Sequence, residues 1–230
     1  MKTQWLLLLL FVFFFSYCHL ATAEEKNLPL TEALLTMDDQ DVLKALEQAV
    51  TENKTDRVFA IVTEIRKRWK TNPAIGDMVL EEIDNKTKNE AYRLILLNEL
   101  VTPQGAMRMA EKRLMAPGQQ DDYQKKMVKM LAARLEDTSD SSAIRGETAI
   151  NLGVVDKSTN TVRVLAQALK DTDDEVSSRA AFGLKLVGNK EAAPDLLARL
   201  KELKDDPDKQ PDLVRRIMVS SGRLGDEEAV

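Results

Sequence analysis

Cys18 and His19 are the single cysteine and the single histidine of this 230-residue chain, and they are neighbours near its N-terminus. A cysteine can act as a nucleophile, a histidine can act as a general base, and both can bind a metal ion. The segment around them has the features of a cleaved signal peptide, so we expect the mature chain to contain neither. Thiol or histidine catalysis, disulfides and histidine metal sites are then excluded. We therefore predict a protein that is not an enzyme, with no catalytic, cofactor-binding or metal-binding residues.

Residues 1–23 predict a secretory signal peptide. Lys2 gives a positively charged start, an apolar run extends from Trp5 to Tyr17, and Ala21-Thr22-Ala23 is a small-residue cleavage pattern. We expect an exported protein, either periplasmic or extracellular. Two alternatives would hold it at a membrane, an uncleaved N-terminal anchor or a lipid on Cys18. The apolar run is shorter than the roughly 20 residues of a membrane-spanning helix, and Tyr17 is bulky where lipoprotein processing requires a small residue.

Acidic clusters could bind calcium, and a close pair of carboxylates could serve as acid and base in a hydrolase. None of the clusters has the twelve-residue loop with a central glycine that a calcium loop requires. Helix N-termini attract acidic residues through their free N–H groups and their dipole. We interpret the clusters as helix starts, and a carboxylate-based hydrolase in the N-terminal helices stays open as an alternative. The clusters are Asp38-Asp39-Gln40-Asp41, Asp171…Asp173-Asp174-Glu175 and Asp205-Asp206…Asp208, and the pairs are Glu81-Glu82 and Asp121-Asp122.

Residues 66–70, Arg-Lys-Arg-Trp-Lys, place basic side chains around Trp69. Such a run could hold phosphates while the aromatic ring stacks on a base. The chain, however, has 33 basic and 38 acidic residues and a net charge of −5, or −6 (32 against 38) once Lys2 leaves with the signal peptide. An acidic surface repels nucleic acids and anionic membranes. We predict no nucleic-acid partner and no membrane contact except through the signal or anchor, and we interpret Trp69 as a core residue.

Two N-glycosylation sequons, Asn53-Lys54-Thr55 and Asn85-Lys86-Thr87, fall in predicted turns between helices. They would carry glycans if the source is a eukaryote. In a bacterium they are ordinary polar turns. The sequence leaves both alternatives open.

From Leu30 onward the apolar residues recur with the period of a helix. The two clearest apolar stripes are Val42, Leu43, Leu46, Ala49 and Val50, and Val58, Phe59, Val62, Ile65 and Trp69. Polar residues and prolines mark the helix ends, and either Asp140 or Ser141 can cap the helix that follows. The predicted helices are 39–53, 55–70, 73–84, 88–101, 103–115, 120–136, 142–153, 160–170, 174–187, 190–204 and 211–223. Because the loops between them are short, we expect consecutive helices to pack antiparallel.

The segment 171–200 has related copies on both sides, which is the signature of a repeat architecture. A Leu-x-Asp junction, with Glu or Lys in the middle, precedes each copy at 135–137, 169–171 and 203–205. The central copy has small or apolar residues at Val176, Ala180, Ala181, Leu184 and Gly188. The positions 32 residues earlier are Ile144, Thr148, Ala149, Leu152 and Asp156. The positions 37 residues later are Leu213, Ile217, Met218, Ser221 and Gly225. Tyr92-Arg93…Leu100 repeats the spacing of Ile144-Arg145…Leu152 52 residues upstream, which leaves room for one extra helix.

These segments resemble HEAT-like repeats of the phycobilisome-lyase type, within the armadillo-like superfamily, mainly over residues 135–230. The resemblance implies an all-α, right-handed α-solenoid of antiparallel helix pairs that binds protein partners. The arginine after the first apolar position is Arg145 in one copy but Ser177 and Val214 in the others, so we expect no regular polar ladder. Lyase or hydroxylase activity is not expected, because the mature chain lacks the thiols and histidines that those activities need. We divide the chain into residues 1–23, a degenerate helical region at 24–118, and repeats at 119–230.

The resemblance also implies that the second helix of each pair lines the concave surface. The candidate partner-binding residues are then Arg163, Gln167, Lys170, Arg199 and Glu202.

Residues Gly225 to Val230 match the start of a second helix, so the last repeat is expected to be incomplete. Val214, Ile217 and Met218 would then lack part of their cover. We expect an exported protein-interaction scaffold or, alternatively, an envelope assembly component that docks through this open repeat.

Overall fold

The computed structural model describes residues 28–101, 119–203 and 211–223, and in this part of the chain all regular secondary structure is helical. A π-helical turn (Leu96–Val101) extends the helix Glu90–Ile95, and a 3₁₀ turn (Lys190–Ala192) precedes the helix Ala193–Leu203. The predicted signal peptide, the predicted helix 103–115, most of the last Leu-x-Asp junction and residues 225–230, the predicted start of an incomplete repeat, lie outside the described residues. The helices are α1 (Leu28–Thr36), α2 (Asp39–Thr51), α3 (Thr55–Thr71), α4 (Ala74–Asp84), α5 (Glu90–Ile95), α6 (Gln119–Glu136), α7 (Ser142–Val155), α8 (Thr159–Ala168), α9 (Asp174–Val187), α10 (Ala193–Leu203) and α11 (Pro211–Arg223).

The chain divides between residues 65 and 66, inside α3, into two compact units. In the first unit, all five residues of the predicted α2 stripe are buried. Asp38 caps α2 by accepting a 2.8 Å hydrogen bond from the Asp41 N–H, as expected of an acid at a helix start. None of the helices in the described residues is long and apolar enough to span a bilayer.

The predicted α3 stripe is wrong at Phe59, whose side chain is 47% exposed. Ile61 occupies the buried face instead, together with Val62 and Ile65. At about 100° per residue, Phe59 lies roughly 200° around the helix from Ile61, so both cannot face one core. Trp69 continues the buried face into the second unit, where it is 2% exposed and stands edge-on to Tyr123 with ring centroids 5.7 Å apart. Its assignment to the core is confirmed.

The second unit is an α-solenoid built from two rows of helices. In one row α7 packs against α9 and α9 against α11; in the other row α6, α8 and α10 cover α7, α9 and α11. Small residues set the spacing within the first row. A Cβ on Gly183 would lie 2.6 Å from the Ala149 carbonyl oxygen, and Ser220 Oγ donates a 3.0 Å hydrogen bond to the Ala181 carbonyl. These helices therefore approach almost backbone to backbone.

The predicted repeat register is confirmed by burial. Val176, Ala180, Ala181 and Leu184 of α9 are fully buried, and so are their equivalents in α7, Ile144, Thr148, Ala149 and Leu152. In α11, Leu213, Ile217 and Ser221 are buried, whereas Met218 is 46% exposed. The expectation that Ile217 lacks cover is wrong, because it faces inward with Leu213 onto α9 and α10, and the expectation for Met218 is confirmed.

Two rungs of a polar ladder connect successive repeats. Arg93 donates from Nε to the Ile83 carbonyl and forms a two-pronged pair with Asp140, at 2.8 and 2.6 Å. Arg145 makes the same contacts to the Leu135 carbonyl and to Asp171. The ladder does not continue into α9, where Ser177 stands at the position of the arginine and its hydroxyl donates to the Leu169 carbonyl. The expectation of no regular ladder therefore holds from α9 onward. Arg93 is thus the upstream equivalent of Arg145, as its spacing predicts.

Asp140 and Ser141 have separate roles. Ser141 caps α7 by accepting a hydrogen bond from the Ile144 N–H at 3.3 Å, while Asp140 holds Arg93. Burial alone raises the pKa of the Asp140 carboxyl, but the hydrogen bonds and charge of Arg93 outweigh it, so this pKa lies below its ordinary value. The carboxylate is therefore charged in the folded protein.

Candidate partner-binding groove

A groove of about 650 Å³ lies between α6 and α8, in the second row of helices. Its floor is apolar and its sides carry charged and amide side chains. Residues from α6 supply one wall, and residues from α8 and the turn before it supply the other. The lining consists of Gln124, Lys125, Val128, Lys129, Ala132, Ala133 and Glu136 on one side and Asp156, Asn160, Arg163 and Val164 on the other.

Helical spacing brings the α6 residues to one face. Lys125, Lys129, Ala133 and Glu136 follow one another three or four residues apart and are exposed. Val128 and Ala132 lie between them and are partly buried. The small side chain of Ala133 leaves the space above this floor open.

Hydrogen bonds fix the other wall. Ser158 caps α8 by accepting a bond from the Thr161 N–H at 3.3 Å, and its own hydroxyl donates to Asp156 at 2.6 Å. The Thr161 hydroxyl also donates to Asp156, so this carboxylate is engaged in holding the turn. Gln124 Nε2 donates to the Val155 carbonyl at 2.9 Å and ties α6 to the same turn. The groove is thus held by the framework of the repeat.

The cationic side chains of the groove are weakly neutralised. Lys125 reaches Asp122 at 3.7 Å, but both side chains are about three-quarters exposed, so water and salt screen the pair. Lys129 forms no ion pair with any described residue. Arg163 Nη2 donates to the neutral amide oxygen of Asn160 at 3.0 Å and has no carboxylate partner among the described residues.

The structure places one of the five predicted binding residues, Arg163, in this groove. Gln167 lies one turn further along α8 and is exposed, and Lys170 is exposed just after the helix. Arg199 and Glu202 lie on α10, where Arg199 Nη1 donates to the Glu202 carboxylate at 3.0 Å, and neither lines the groove. Their role in binding stays a prediction.

The α6 wall is absent from the sequence-based candidates. Its signal was the run Lys125, Lys129, Ala133 and Glu136 on one face of a predicted helix. Nothing in that run says which other helix lies beside it, because α6 and α8 are separated in the chain by the whole of α7.

Several acids of the described clusters and pairs have structural partners, whereas Asp205, Asp206 and Asp208 lie outside the described residues. Asp173 caps α9, Asp171 pairs with Arg145, and Glu82 lies 3.2 Å from Lys88. Hydrogen bonds from Lys86, and then from Ser139, lower the pKa of Asp137. The pKa values of the Asp137 and Asp140 carboxyls are lowered, whereas a carboxyl that serves as a general acid near neutral pH needs a raised pKa. No group of three or more metal-binding side chains occurs in the same part of the chain.

The sequence pattern of the family described as HEAT repeats matches residues 128–211, which run from the middle of α6 to the start of α11. These residues are HEAT repeats. The groove lies where the match begins, between the second-row helices of two successive repeats. The match identifies HEAT repeats in general and does not single out the phycobilisome-lyase type. A search of curated proteins finds no significant match to this chain.

HEAT repeats commonly serve as protein-interaction scaffolds, and the fold is typically non-catalytic. The two ladder rungs, the close first row and the groove follow from this architecture, because each repeat buries its apolar faces against its neighbours. Side chains outside those faces are free to vary and to bind other molecules.

Proposed function

We propose that the protein is an exported, non-catalytic scaffold that binds a segment of a partner protein in the groove between α6 and α8. The observation that carries the proposal is the groove itself, which combines an apolar floor with cationic side chains that lack close carboxylate partners. Partner sites are typically apolar at the centre and polar at the rim. Arg163 belongs to both the predicted and the observed surface.

The test fills the groove without disturbing the core. Ala133 is an exposed groove residue, and Ala198 is an exposed alanine on α10 that does not line the groove. We expect Ala133→Trp to abolish capture of the partner from the native host, while Ala198→Trp captures it as the unchanged protein does. The partner is the protein that binds both the unchanged chain and Ala198→Trp but does not bind Ala133→Trp. Mass spectrometry identifies it. Equal capture by all three proteins would refute the groove as the binding site.

Single charge reversals at Arg163 and at Arg199 separate a contribution of the groove from one of α10. If the binding surface extends along the second row, both single reversals weaken capture. If the groove alone binds, Arg163→Glu weakens capture and Arg199→Glu does not. Circular dichroism of each variant shows whether the helices are intact.

Export rests on the signal-peptide pattern of residues 1–23. We expect the protein purified from its host to begin at Glu24, since cleavage follows Ala23. N-terminal sequencing of the secreted or periplasmic fraction tests this. A protein that begins at Met1 in the membrane fraction would support an anchor instead, and a lipid on Cys18 would support lipoprotein processing.

The alternative role, in envelope assembly, is favoured by the exposed face of α11. Met218 and Val219 are 46% and 54% exposed. The residue of α9 equivalent to Met218 is Ala181, which is fully buried beneath α11. A further HEAT-like helix presented by an assembly partner would cover Met218 as α11 covers Ala181. Light scattering tests this face: Met218→Ser/Val219→Ser should dissociate an assembly that Ala133→Trp leaves intact. A protein that is monomeric before and after the change, at all concentrations, would refute the alternative.

A further inference from the structure

We infer that the segment bound in the α6–α8 groove is an acidic peptide segment with apolar residues between its carboxylates, which contact Lys129 and Arg163. This inference rests on the proposed function, because it names the chemistry of the partner for the same groove. It goes beyond the general expectation that a HEAT array binds protein.

The first support is the charge of the groove in an otherwise acidic chain. The chain has a net charge of −5, and three of its buried or partly buried arginines pair with acids. Arg93 pairs with Asp140, Arg145 with Asp171, and Arg179 with Glu147. Lys129 and Arg163, on opposite walls of the groove, have no such match among the described residues. Two cations facing one space attract carboxylates that enter it.

The acids in the groove leave its lining with an excess of positive charge. The lining has three cationic side chains, Lys125, Lys129 and Arg163, against two acidic ones, Asp156 and Glu136. Asp156 also accepts hydrogen bonds from the hydroxyls of Ser158 and Thr161, which hold it to the turn before α8. Glu136 lies seven residues after Lys129 on α6, about 10 Å further along the helix axis at 1.5 Å per residue. A bound segment therefore places its carboxylates near Lys129 and Arg163.

The floor indicates that the ligand is a polypeptide. Val128, Ala132 and Val164 line the groove, and Val128 and Ala132 are partly exposed and present apolar surface. A peptide with leucine or alanine between acidic residues covers this floor while its carboxylates reach the walls. Single-stranded nucleic acid also carries negative charge, but proteins that bind it stack the bases on aromatic side chains. The lining, all of it in the described part of the chain, contains no aromatic residue.

The experiment compares three acetylated, fluorescein-labelled peptides that differ only in their polar residue: glutamate, glutamine or lysine alternating with leucine and alanine. Fluorescence anisotropy measures their binding to the purified protein at low and high salt. We expect the glutamate peptide to bind at least about tenfold more tightly than the glutamine peptide at low salt, and salt to reduce this preference. The lysine peptide should bind most weakly. A single-stranded DNA oligonucleotide should bind more weakly than the glutamate peptide.

Charge-reversal variants assign the preference to the groove. Lys129→Glu/Arg163→Glu should remove the preference for glutamate over glutamine. The matched control is Lys67→Glu/Lys190→Glu, which makes the same change in net charge at exposed lysines outside the groove and should keep the preference. Circular dichroism and a thermal melt confirm that each variant is folded. Because all four positions are exposed or line open space, we expect little change in stability.

The outcomes separate the inference from the proposed function. If the glutamate and glutamine peptides bind equally and Ala133→Trp blocks both, the groove binds peptides but the acidic preference is refuted. If the control reversal removes the preference as fully as the groove reversal does, the preference belongs to net charge and the inference is refuted. If the DNA binds more tightly than every peptide, the ligand class is wrong. If no peptide binds and Ala133→Trp also leaves partner capture unchanged, the proposed function fails together with the inference.

Discussion

Replacing Arg93 with methionine should destabilise the second unit more than any change in the groove. Arg93 and Asp140 are each 4% exposed in their side chains, and Arg93 makes three hydrogen bonds of 2.6 to 2.8 Å. Breaking a buried pair on one side leaves a charge without its partner and costs about 3–5 kcal/mol. The Ser141 N–H, 3.2 Å from Asp140, and Arg134, at 3.7 Å, still stabilise that carboxylate. We therefore expect a loss of about 3 kcal/mol for Arg93→Met.

A double variant separates loss of the pair from loss of packing. Arg93→Met/Asp140→Leu removes both charges, so no buried carboxylate is left unpaired, and we expect it to recover at least about 1.5 kcal/mol relative to the sum of the single changes. Arg163→Met is the matched control, because Arg163 is an exposed arginine with one hydrogen bond to a neutral group. Its effect should stay within about 0.5 kcal/mol.

The assay is urea unfolding, followed by circular dichroism and by the fluorescence of Trp69. Trp69 becomes the single tryptophan once residues 1–23 are removed, and it is buried in the same unit as Arg93. Free energies are compared where the two signals coincide, since only then is a two-state treatment valid. A loss below about 1 kcal/mol for Arg93→Met, or strict additivity in the double variant, would refute the argument from burial.

Three further predictions follow from the same unit. The folded-state pKa of Asp140 lies below the ordinary 3.8. The stability that this carboxylate confers is therefore present above pH 3.8 and is lost as the pH falls through the lower pKa. Arg93→Met should then reduce the fall in the urea unfolding midpoint between about pH 5 and pH 2. Gly183→Ala should destabilise by about 1–3 kcal/mol, because the new Cβ would lie 2.6 Å from the Ala149 carbonyl; a gain of the roughly 1 kcal/mol that alanine usually brings to a helix would contradict this close contact. Ala181→Asp should cost at least several kcal/mol or prevent folding, because a fully buried carboxylate has no partner there, whereas Ala198→Asp at an exposed site should change the melting temperature little.

Much of the fold is predictable because the spacing of apolar residues along each helix specifies it. The apolar stripe of α2 and the bounds of α9 and α11 agree with the sequence-based expectation. Spacing alone also identifies Arg93 as the equivalent of Arg145. Helix α1 is absent from the predicted set, since its apolar residues show little amphipathic pattern. Phe59 differs from the prediction because an apolar residue near a stripe is not always on it. The choice between Phe59 and Ile61 depends on which face a neighbouring helix covers.

The candidate site is predictable only in part. Arg163 follows from the expected role of the second helix in each pair, but its facing wall does not, because helical periodicity says nothing about which distant helix lies alongside. The pairing of Arg93 with Asp140 spans 47 residues. Charge alone could not have selected Asp140 from the neighbouring acids.

The sequence by itself determines that the described part of this chain is helical, that its repeats share one register, and that a mature form without residues 1–23 has neither a thiol nor an imidazole. Each of these conclusions depends on residue types or on spacing within a few helical turns. Only the tertiary structure decides that α6 and α8 form a groove, that Lys129 and Arg163 line it from opposite helices, and that Ile217 is covered while Met218 is not. The reason is physical: side-chain periodicity fixes which face of a helix is apolar, but the packing of helices far apart in the chain fixes which neighbour covers that face.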